Sequence, residues 1–344
     1  MRSSRKIRTY DSNYIDNILK SENKSYLPST YLSPTTIKYF KDYSKLILQS
    51  IFIIFIVVSL TFLLLSLSNL QPALLEDVKQ KGDESAIKAL EEQFRVNESL
   101  WNQFWFAWGD IFSSGMGTSW SSGASVSSEM WPKMAVSIQI GLISFAFSLL
   151  IGIPLGVIFG STKGELIDWT SAILSAIAFS VPVFVIALIF LVINYSIGVP
   201  FVWDKGNIFM YLIPAFVLAI PVSFTYSRYL KTSINLEWSK QYVSFAKVKG
   251  ARKNRILYKH TFKSAMFPIV TFIPFVFISV FIGSITVESV FAIPGAGSLL
   301  IDSVLDGDQP VLLAIVFVYT TLVVFAFFMR DLLYDFLDPR IRNK

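Results

Sequence analysis

The residue types that carry most covalent chemistry in proteins are scarce in this 344-residue chain. It contains no cysteine and a single histidine, His260, so thiolate nucleophiles, Cys- or His-rich metal sites and most His-dependent catalytic triads have no residues to build on. No Gly-Lys pair occurs, which excludes the phosphate-binding Walker A loop. The sequence therefore predicts a non-enzymatic protein without catalytic, cofactor-binding or metal-ligating residues of its own.

Residue spacing points to a function in one basic segment, 228–266. Four residues there are spaced i, i+3, i+4 and i+7, as on one helix face: Tyr242, Phe245, Ala246 and Lys249. Gly250 follows where a helix C-terminus often uses a left-handed residue, and a second basic helix is predicted over 251–263. Two short helices separated by a glycine suit a surface gripped by another protein, or equally an amphipathic hairpin lying on an anionic membrane leaflet.

The elements that must position this segment are strongly apolar. Hydrophobic residues make up 53% of the chain, charged residues only 16%, and the mean hydropathy is +0.55, whereas a soluble domain carries about a quarter charged residues. Crossing about 30 Å of hydrocarbon takes roughly 20 apolar residues. Six runs of that kind lack Asp, Glu, Lys and Arg: Leu46–Ser68, Met134–Phe159, Trp169–Asn194, Ile208–Ser227, Phe267–Val287 and Val311–Met329. The predicted fold class is therefore an all-α integral membrane protein with six transmembrane helices.

The charge distribution predicts how these spans are oriented. With the N-terminus inside, the cytoplasmic segments carry 24 Lys and Arg against 10 Asp and Glu, and the opposite segments carry 6 against 14. Lys and Arg concentrate on the cytoplasmic side of membrane proteins. We therefore expect a plasma-membrane protein with both termini cytoplasmic, whose basic character reflects contact with anionic lipid and not nucleic-acid binding.

This topology divides the chain into five parts. They are a cytoplasmic tail (1–45), a first span (46–68), a large external loop (69–133), a core with five spans and the 228–266 loop (134–329), and a cytoplasmic C-terminus (330–344). The tail is expected to be mostly solvated, with a short interfacial helix over Thr35–Lys45.

The external loop has its own pattern. Ala86–Phe94 is predicted to be a helix, an aromatic stretch follows over 100–112, and the small residues of 113–128 indicate turns. The three tryptophans Trp101, Trp105 and Trp108 suit a ligand-stacking site or, more often, an anchor at the membrane interface. Two acids near span ends, Glu288 and Asp302, are expected to be external and solvated.

Motifs in four places resemble a known family. Tyr242-Val243-x-x-Ala246-x-x-Lys249-Gly250, with Lys259-His260 and the segment 264–268, resembles the "EAA" loop of ABC-importer permeases. Three further segments match in order: Gly115–Ser119, Glu288–Leu300 and Asp331–Arg342. Together they resemble the B-type transmembrane subunit of oligopeptide/dipeptide (Opp/Dpp) permeases, which belong to the binding-protein-dependent, MetI-like permeases. The resemblance covers about residues 46–342.

The resemblance implies a MetI-like type I ABC importer fold with cytoplasmic coupling helices. The chain would form half of an oligopeptide pathway, with a C-type permease subunit as the other half. Two ATPase subunits would bind ATP and Mg²⁺, and an extracellular peptide-binding protein would deliver substrate. The implied ATPase-coupling interface comprises Tyr242, Val243, Phe245, Ala246, Lys249, Gly250 and Ala251. The implied external-loop motif comprises Glu288, Phe291, Pro294, Gly295 and Gly297.

Other transporters are alternatives. Within the family, the alternative is an importer of dipeptides, nickel or another small solute. A secondary transporter is the less favoured class, because it normally places an ionisable residue or paired broken helices at the membrane midplane, and the six apolar runs contain no charged side chain.

Overall fold

The computed structural model describes residues 34–68, 73–81, 84–95, 97–162, 164–281 and 285–337. Most of the predicted N-terminal tail and the end of the C-terminal motif lie outside these residues. By its internal contacts the chain forms two units, residues 1–52 and residues 53–344. The described part of the first unit is helical, and the second holds the remaining elements. Within the described residues the sole β feature is an isolated bridge between Thr118 and Ser125.

The described elements are helical throughout. The first part of the chain contains α1 (Pro34–Leu67), α2 (Ala73–Lys81), α3 (Glu84–Phe94), α4 (Leu100–Ile111), α5 (Val126–Ser161), α6 (Glu165–Ser180) and α7 (Val183–Ser196). The second part contains α8 (Phe209–Trp238), α9 (Gln241–Val248), α10 (Lys253–Arg255), a π-helical turn (Ile256–Thr261), α11 (Phe262–Ala265), α12 (Phe267–Phe281), α13 (Ile285–Val290), α14 (Ala296–Leu305) and α15 (Gln309–Leu337).

Four described helices are long and apolar enough to cross a membrane: Ser44–Leu67 within α1, then α5, α8, and Gln309–Leu333 within α15. A fifth span is possible if α6 and α7 count as one. The predicted fifth span, Phe267–Val287, includes the 15-residue helix α12 and the first three residues of α13. Residues 282–284 between them lie outside the described residues. The helical, membrane-spanning class is therefore confirmed, whereas the number six stays a prediction.

The third predicted span, Trp169–Asn194, is not one straight helix. α6 and α7 meet at an angle of 92°. Val181 has extended backbone angles, φ −86° and ψ 116°, as expected of a residue directly before a proline. Pro182 then lacks the N–H that a continuing helix needs. The break therefore lies at the Val181-Pro182 pair, although Pro132 and Pro154 of α5 and Pro214 and Pro221 of α8 lie inside continuous helices.

The centre of the fold is the contact between α5 and α8. Gly152, Gly156 and Gly160 follow each other at four-residue intervals on α5 and are buried. A Cβ atom on Gly156 would lie 2.7 Å from the Cβ of Leu230 on α8, closer than real side chains approach. Small residues at this spacing let two membrane helices pack backbone to backbone. The glycine stripe therefore sets how closely α5 and α8 approach.

The loop before α5 is folded and fixed to the last helix. α3 confirms the predicted helix at Ala86–Phe94, whereas α2 and α4 were not predicted as helices. Asp308, just before α15, is buried and accepts hydrogen bonds from the Ser119 hydroxyl at 2.5 Å and the Ser121 hydroxyl at 2.9 Å. The 113–125 turns are thereby held to the start of α15.

Candidate functional site

The basic hairpin is positioned by a junction between α8 and α9. Glu237, at the end of α8, is only 8% exposed. Its carboxylate accepts a hydrogen bond from the Tyr242 hydroxyl and pairs with Lys240 Nζ at 2.6 Å. Burial, together with this hydrogen bond and the Glu237 charge, raises the pKa of Tyr242 to about 12, so the phenol remains a donor at neutral pH. The junction fixes the direction in which α9 leaves α8.

α9 has one buried side and one exposed side. Val243 is fully buried, whereas Phe245 is 67% exposed and Val248 is 87% exposed. Ala246 is half-buried, and Lys249 is exposed. Phe245 and Val248 are three residues apart, so they are neighbours on one side of the helix and form a small exposed apolar surface that a partner or a membrane could cover. The buried Val243 holds α9 against the rest of the fold, and Phe245 and Val248 form its exposed apolar surface.

The chain after α9 turns and packs back onto α8. Gly250 has a φ of +75°, which confirms the predicted left-handed residue, and Ala251 follows it half-buried. The second helix was predicted to be a continuous helix over 251–263, which is wrong. Residues 256–261 form a π-helical turn between two short α-helices. A π turn places residues five apart on one face, and this brings the buried Ile256 and Thr261 onto the same side.

Apolar contacts then anchor the hairpin. Leu257 and Ala265 belong to a buried cluster with Tyr226, Leu230 and Ile234 of α8. These α8 residues are also near the glycine stripe, since Leu230 lies against Gly156. The second half of the hairpin is therefore connected through packed side chains to the α5–α8 contact.

The 285–297 segment forms a buried corner. Glu288 is only 1% exposed, so the expectation that it is solvated is wrong, whereas Asp302 is exposed as expected. The Glu288 carboxylate accepts the Ser137 hydroxyl at 2.7 Å and the Gly297 N–H at 2.7 Å. A buried carboxylate needs such donors, and these come from α5 and from the first turn of α14.

The other residues of the predicted external motif lie around this corner. Phe291 is buried and meets Phe201 edge to face, with ring centroids 4.8 Å apart. Gly295 is buried and Pro294 is exposed. The Ser137 hydroxyl also accepts the Ala296 N–H at 2.8 Å. The motif is a structural corner around Glu288 with an exposed proline at its tip.

Three features of these sites were missed from the sequence. The glycine stripe of α5 has a visible signal, its four-residue spacing. Ser137 has none, because it is one serine in an apolar helix and its partner is 151 residues away. The ion pair between Lys231 and Asp168, at 2.7 Å, joins α8 to α6. Two opposite charges that are 63 residues apart in the sequence do not by themselves indicate a pair.

Comparisons with known proteins agree with these motifs. Residues 152–343 match the family model described as "Binding-protein-dependent transport system inner membrane component". The oligopeptide transport system permease protein AppB of Bacillus subtilis is 30% identical over 262 residues, covering 73% of this chain and 83% of that protein.

Two further relatives are similar over most of their length. The dipeptide transport system permease protein DppB of Lactococcus lactis is 26% identical, with 84% of this chain and 95% of that protein covered. The oligopeptide transport system permease protein OppB of Haemophilus influenzae is 25% identical, with 87% and 98% covered. The chain therefore belongs to the family of inner membrane components of binding-protein-dependent transport systems.

Proposed function

We propose that this chain is the B-type permease subunit of an ATP-driven importer of oligopeptides. The observation that carries the proposal is the family match over 152–343 together with relatives named as oligopeptide and dipeptide transport permeases. The relative named as a dipeptide permease supports dipeptides as the second candidate substrate. None of the three relatives compared above is named as a permease for nickel or for another small solute.

In this proposal the chain spans the plasma membrane six times, with both termini cytoplasmic. The bent α6–α7 pair supplies one span, and 267–287 supplies another. The basic hairpin then lies on the cytoplasmic side and the 73–125 loop outside, as the charge asymmetry indicates.

The working transporter contains further chains. A C-type permease subunit completes the pathway, two ATPase subunits lie beneath the membrane and hold ATP and Mg²⁺, and an extracellular peptide-binding protein delivers substrate. In this proposal ATP, metal ions and nucleic acid are not ligands of this chain, and its spans lie in membrane lipid.

We further propose that α9 transmits the ATPase movement. Phe245 and Val248 offer an exposed apolar surface, while the buried Val243 and the Glu237 junction fix the helix to α8. A push on α9 therefore reaches Leu230, and through it Gly156 on α5. Rigid-body rocking of the two permease halves is the expected consequence.

The test is purification of the chain from its native membrane, identification of the chains that co-elute, and reconstitution of that complex in vesicles. We expect ATPase subunits, a second permease and ATP-dependent uptake of labelled peptides. A lone chain that carries solute in response to an ion gradient would refute the proposal, because it would identify a secondary transporter.

A further inference from the structure

A cavity of about 400 Å³ lies apart from the hairpin and the corner. Its walls come from the end of α1 (Phe62, Leu65 and Ser66), from α4, from the 116–120 turn and from the start of α15. Both α1 and α15 are candidate membrane spans. The cavity therefore lies at the end of one candidate span and the start of another, and its volume is in the range that holds small ligands.

Two opposite charges line this cavity without pairing. Arg95 and Asp110 are both in its wall, and among the described residues neither the Arg95 guanidinium nor the Asp110 carboxylate has a hydrogen bond or an ion pair within 4 Å. Burial raises the pKa of the Asp110 carboxyl, an effect that the Arg95 charge partly offsets. Half-buried charges without hydrogen-bonded partners cost free energy, and a ligand that carries one negative and one positive group would supply a partner to each.

The guanidinium is held in place by its surroundings. Its carbon lies 3.8 Å from the centre of the Phe106 ring, a cation–π contact. The Arg95 backbone has a φ of +53°, and Gln103 Nε2 donates to the Arg95 carbonyl at 3.2 Å. Left-handed backbone is unfavourable for a non-glycine residue and often occurs at ligand sites.

The surroundings of the cavity resemble a membrane interface. Trp101 is 67% exposed and Phe112 is 73% exposed on the outer side of α4, and tryptophan is enriched at the level of lipid headgroups. The inner wall is also aromatic, since Phe94 and Trp120 have ring centroids 5.7 Å apart. A ligand at this depth is in direct reach of the bilayer.

We propose that this cavity binds the headgroup of an ethanolamine phospholipid, with Arg95 holding the phosphate and Asp110 the ammonium group. A purely anionic headgroup would leave Asp110 unpaired and repelled. A choline headgroup has no N–H to donate to the carboxylate. A free dipeptide carries the same two charges, but the position of the cavity at the edge of two spans favours the lipid.

The test uses the assembled transporter, equilibrated in micelles that contain equal amounts of phosphatidylethanolamine, phosphatidylcholine and phosphatidylglycerol. Retained lipids are counted by native mass spectrometry. We expect one tightly held phosphatidylethanolamine in the wild type, bound roughly tenfold to a hundredfold more weakly in Arg95→Gln and in Asp110→Asn, since hydrogen bonds to charged groups contribute about 1.5–3 kcal/mol. The controls Lys88→Gln and Asp306→Asn remove one positive and one negative charge, respectively, at exposed positions outside the cavity. Both should bind phosphatidylethanolamine as the wild type does.

Three results would overturn the proposal. The first is equal lipid retention in the wild type and both cavity variants. The second is equal retention of the three lipids by the wild type, which decides the matter even if a variant fails to fold. The third is saturable binding of dialanine that is lost in Arg95→Gln and Asp110→Asn while phosphatidylethanolamine is not retained, because the cavity would then hold a free zwitterion. None of these results bears on whether the complex imports peptides.

Discussion

The Ser137 hydroxyl donates a 2.7 Å hydrogen bond to the Glu288 carboxylate across 151 residues of sequence. The same hydroxyl accepts the Ala296 N–H, and the same carboxylate accepts the Gly297 N–H. Two side chains thus satisfy two backbone donors in the first turn of α14 and join that helix to α5. A carboxylate at a helix N-terminus also interacts favourably with the helix dipole.

Replacing this carboxylate should weaken the corner. Glu288→Ala leaves the Ser137 hydroxyl and the Gly297 N–H without their acceptor, at a cost of about 1–3 kcal/mol for each buried group left unpaired. We expect a lower midpoint of thermal unfolding for the purified chain. Ser289→Ala, at the exposed neighbouring position, is the control and should unfold as the wild type does. Equal midpoints for both variants would show that the corner does not contribute to stability.

The glycine stripe should not tolerate a single methyl group. Gly156→Ala places a Cβ atom 2.7 Å from the Cβ of Leu230, and overpacking of this kind costs about 1–3 kcal/mol. Gly109→Ala is the matched control, because nothing lies within 4 Å of its added Cβ atom and a helix interior favours alanine. The amount of folded protein recovered from membranes should fall for Gly156→Ala alone. Recovery of both variants at wild-type amounts would contradict the close packing of α5 and α8.

The Glu237 junction should determine how firmly α9 is held. Tyr242→Phe keeps the ring but removes the donor to the buried carboxylate. We expect faster hydrogen exchange over 241–248 with little change elsewhere. Tyr258→Phe removes a hydroxyl from a side chain that is 62% exposed and should leave exchange unchanged. Identical exchange in Tyr242→Phe and the wild type would mean that other contacts position α9.

The topology can be tested with single cysteines, because the chain has none of its own. Ser122 and Asn254 are both exposed and lie on opposite sides of the membrane in the proposed orientation. An impermeant maleimide applied to intact cells should label Ser122→Cys and not Asn254→Cys, and both should react after the cells are opened. The reverse pattern would invert the topology.

The sequence predicts the elements whose signal is local. The helix at Ala86–Phe94 is observed as Glu84–Phe94, and Gly250 has the positive φ expected after α9. The first span is also predicted closely, although α1 begins earlier, at Pro34, because Thr35–Lys45 continues the same helix and is not a separate one.

What the sequence does not predict depends on partners that are distant along the chain. Glu288 follows an apolar run and resembles a solvated acid at a span end. Its burial depends on Ser137, which no periodicity connects to it. Asp308 is similar, since its partners Ser119 and Ser121 are 189 and 187 residues away. The proline at position 182 is a sequence signal for a break. A span predicted only from the length and composition of an apolar run does not show that the run is bent there.

The exposed face of α9 allows the most direct test of the proposed function. In Phe245→Glu a charge replaces a side chain that is 67% exposed in this chain, so the fold itself should not suffer. If an ATPase covers that face, an unpaired buried charge costs about 3–5 kcal/mol, which weakens association at least a hundredfold. Leu166→Glu makes the same kind of change on another helix, at a side chain of α6 that is 83% exposed, and serves as the control.

The decisive measurement is ATP hydrolysis by the purified complex with and without peptide-loaded binding protein. We predict that Phe245→Glu loses the stimulated activity or releases the ATPase subunits, while Leu166→Glu keeps both. Wild-type stimulation in Phe245→Glu would contradict the assignment of α9 as the coupling surface.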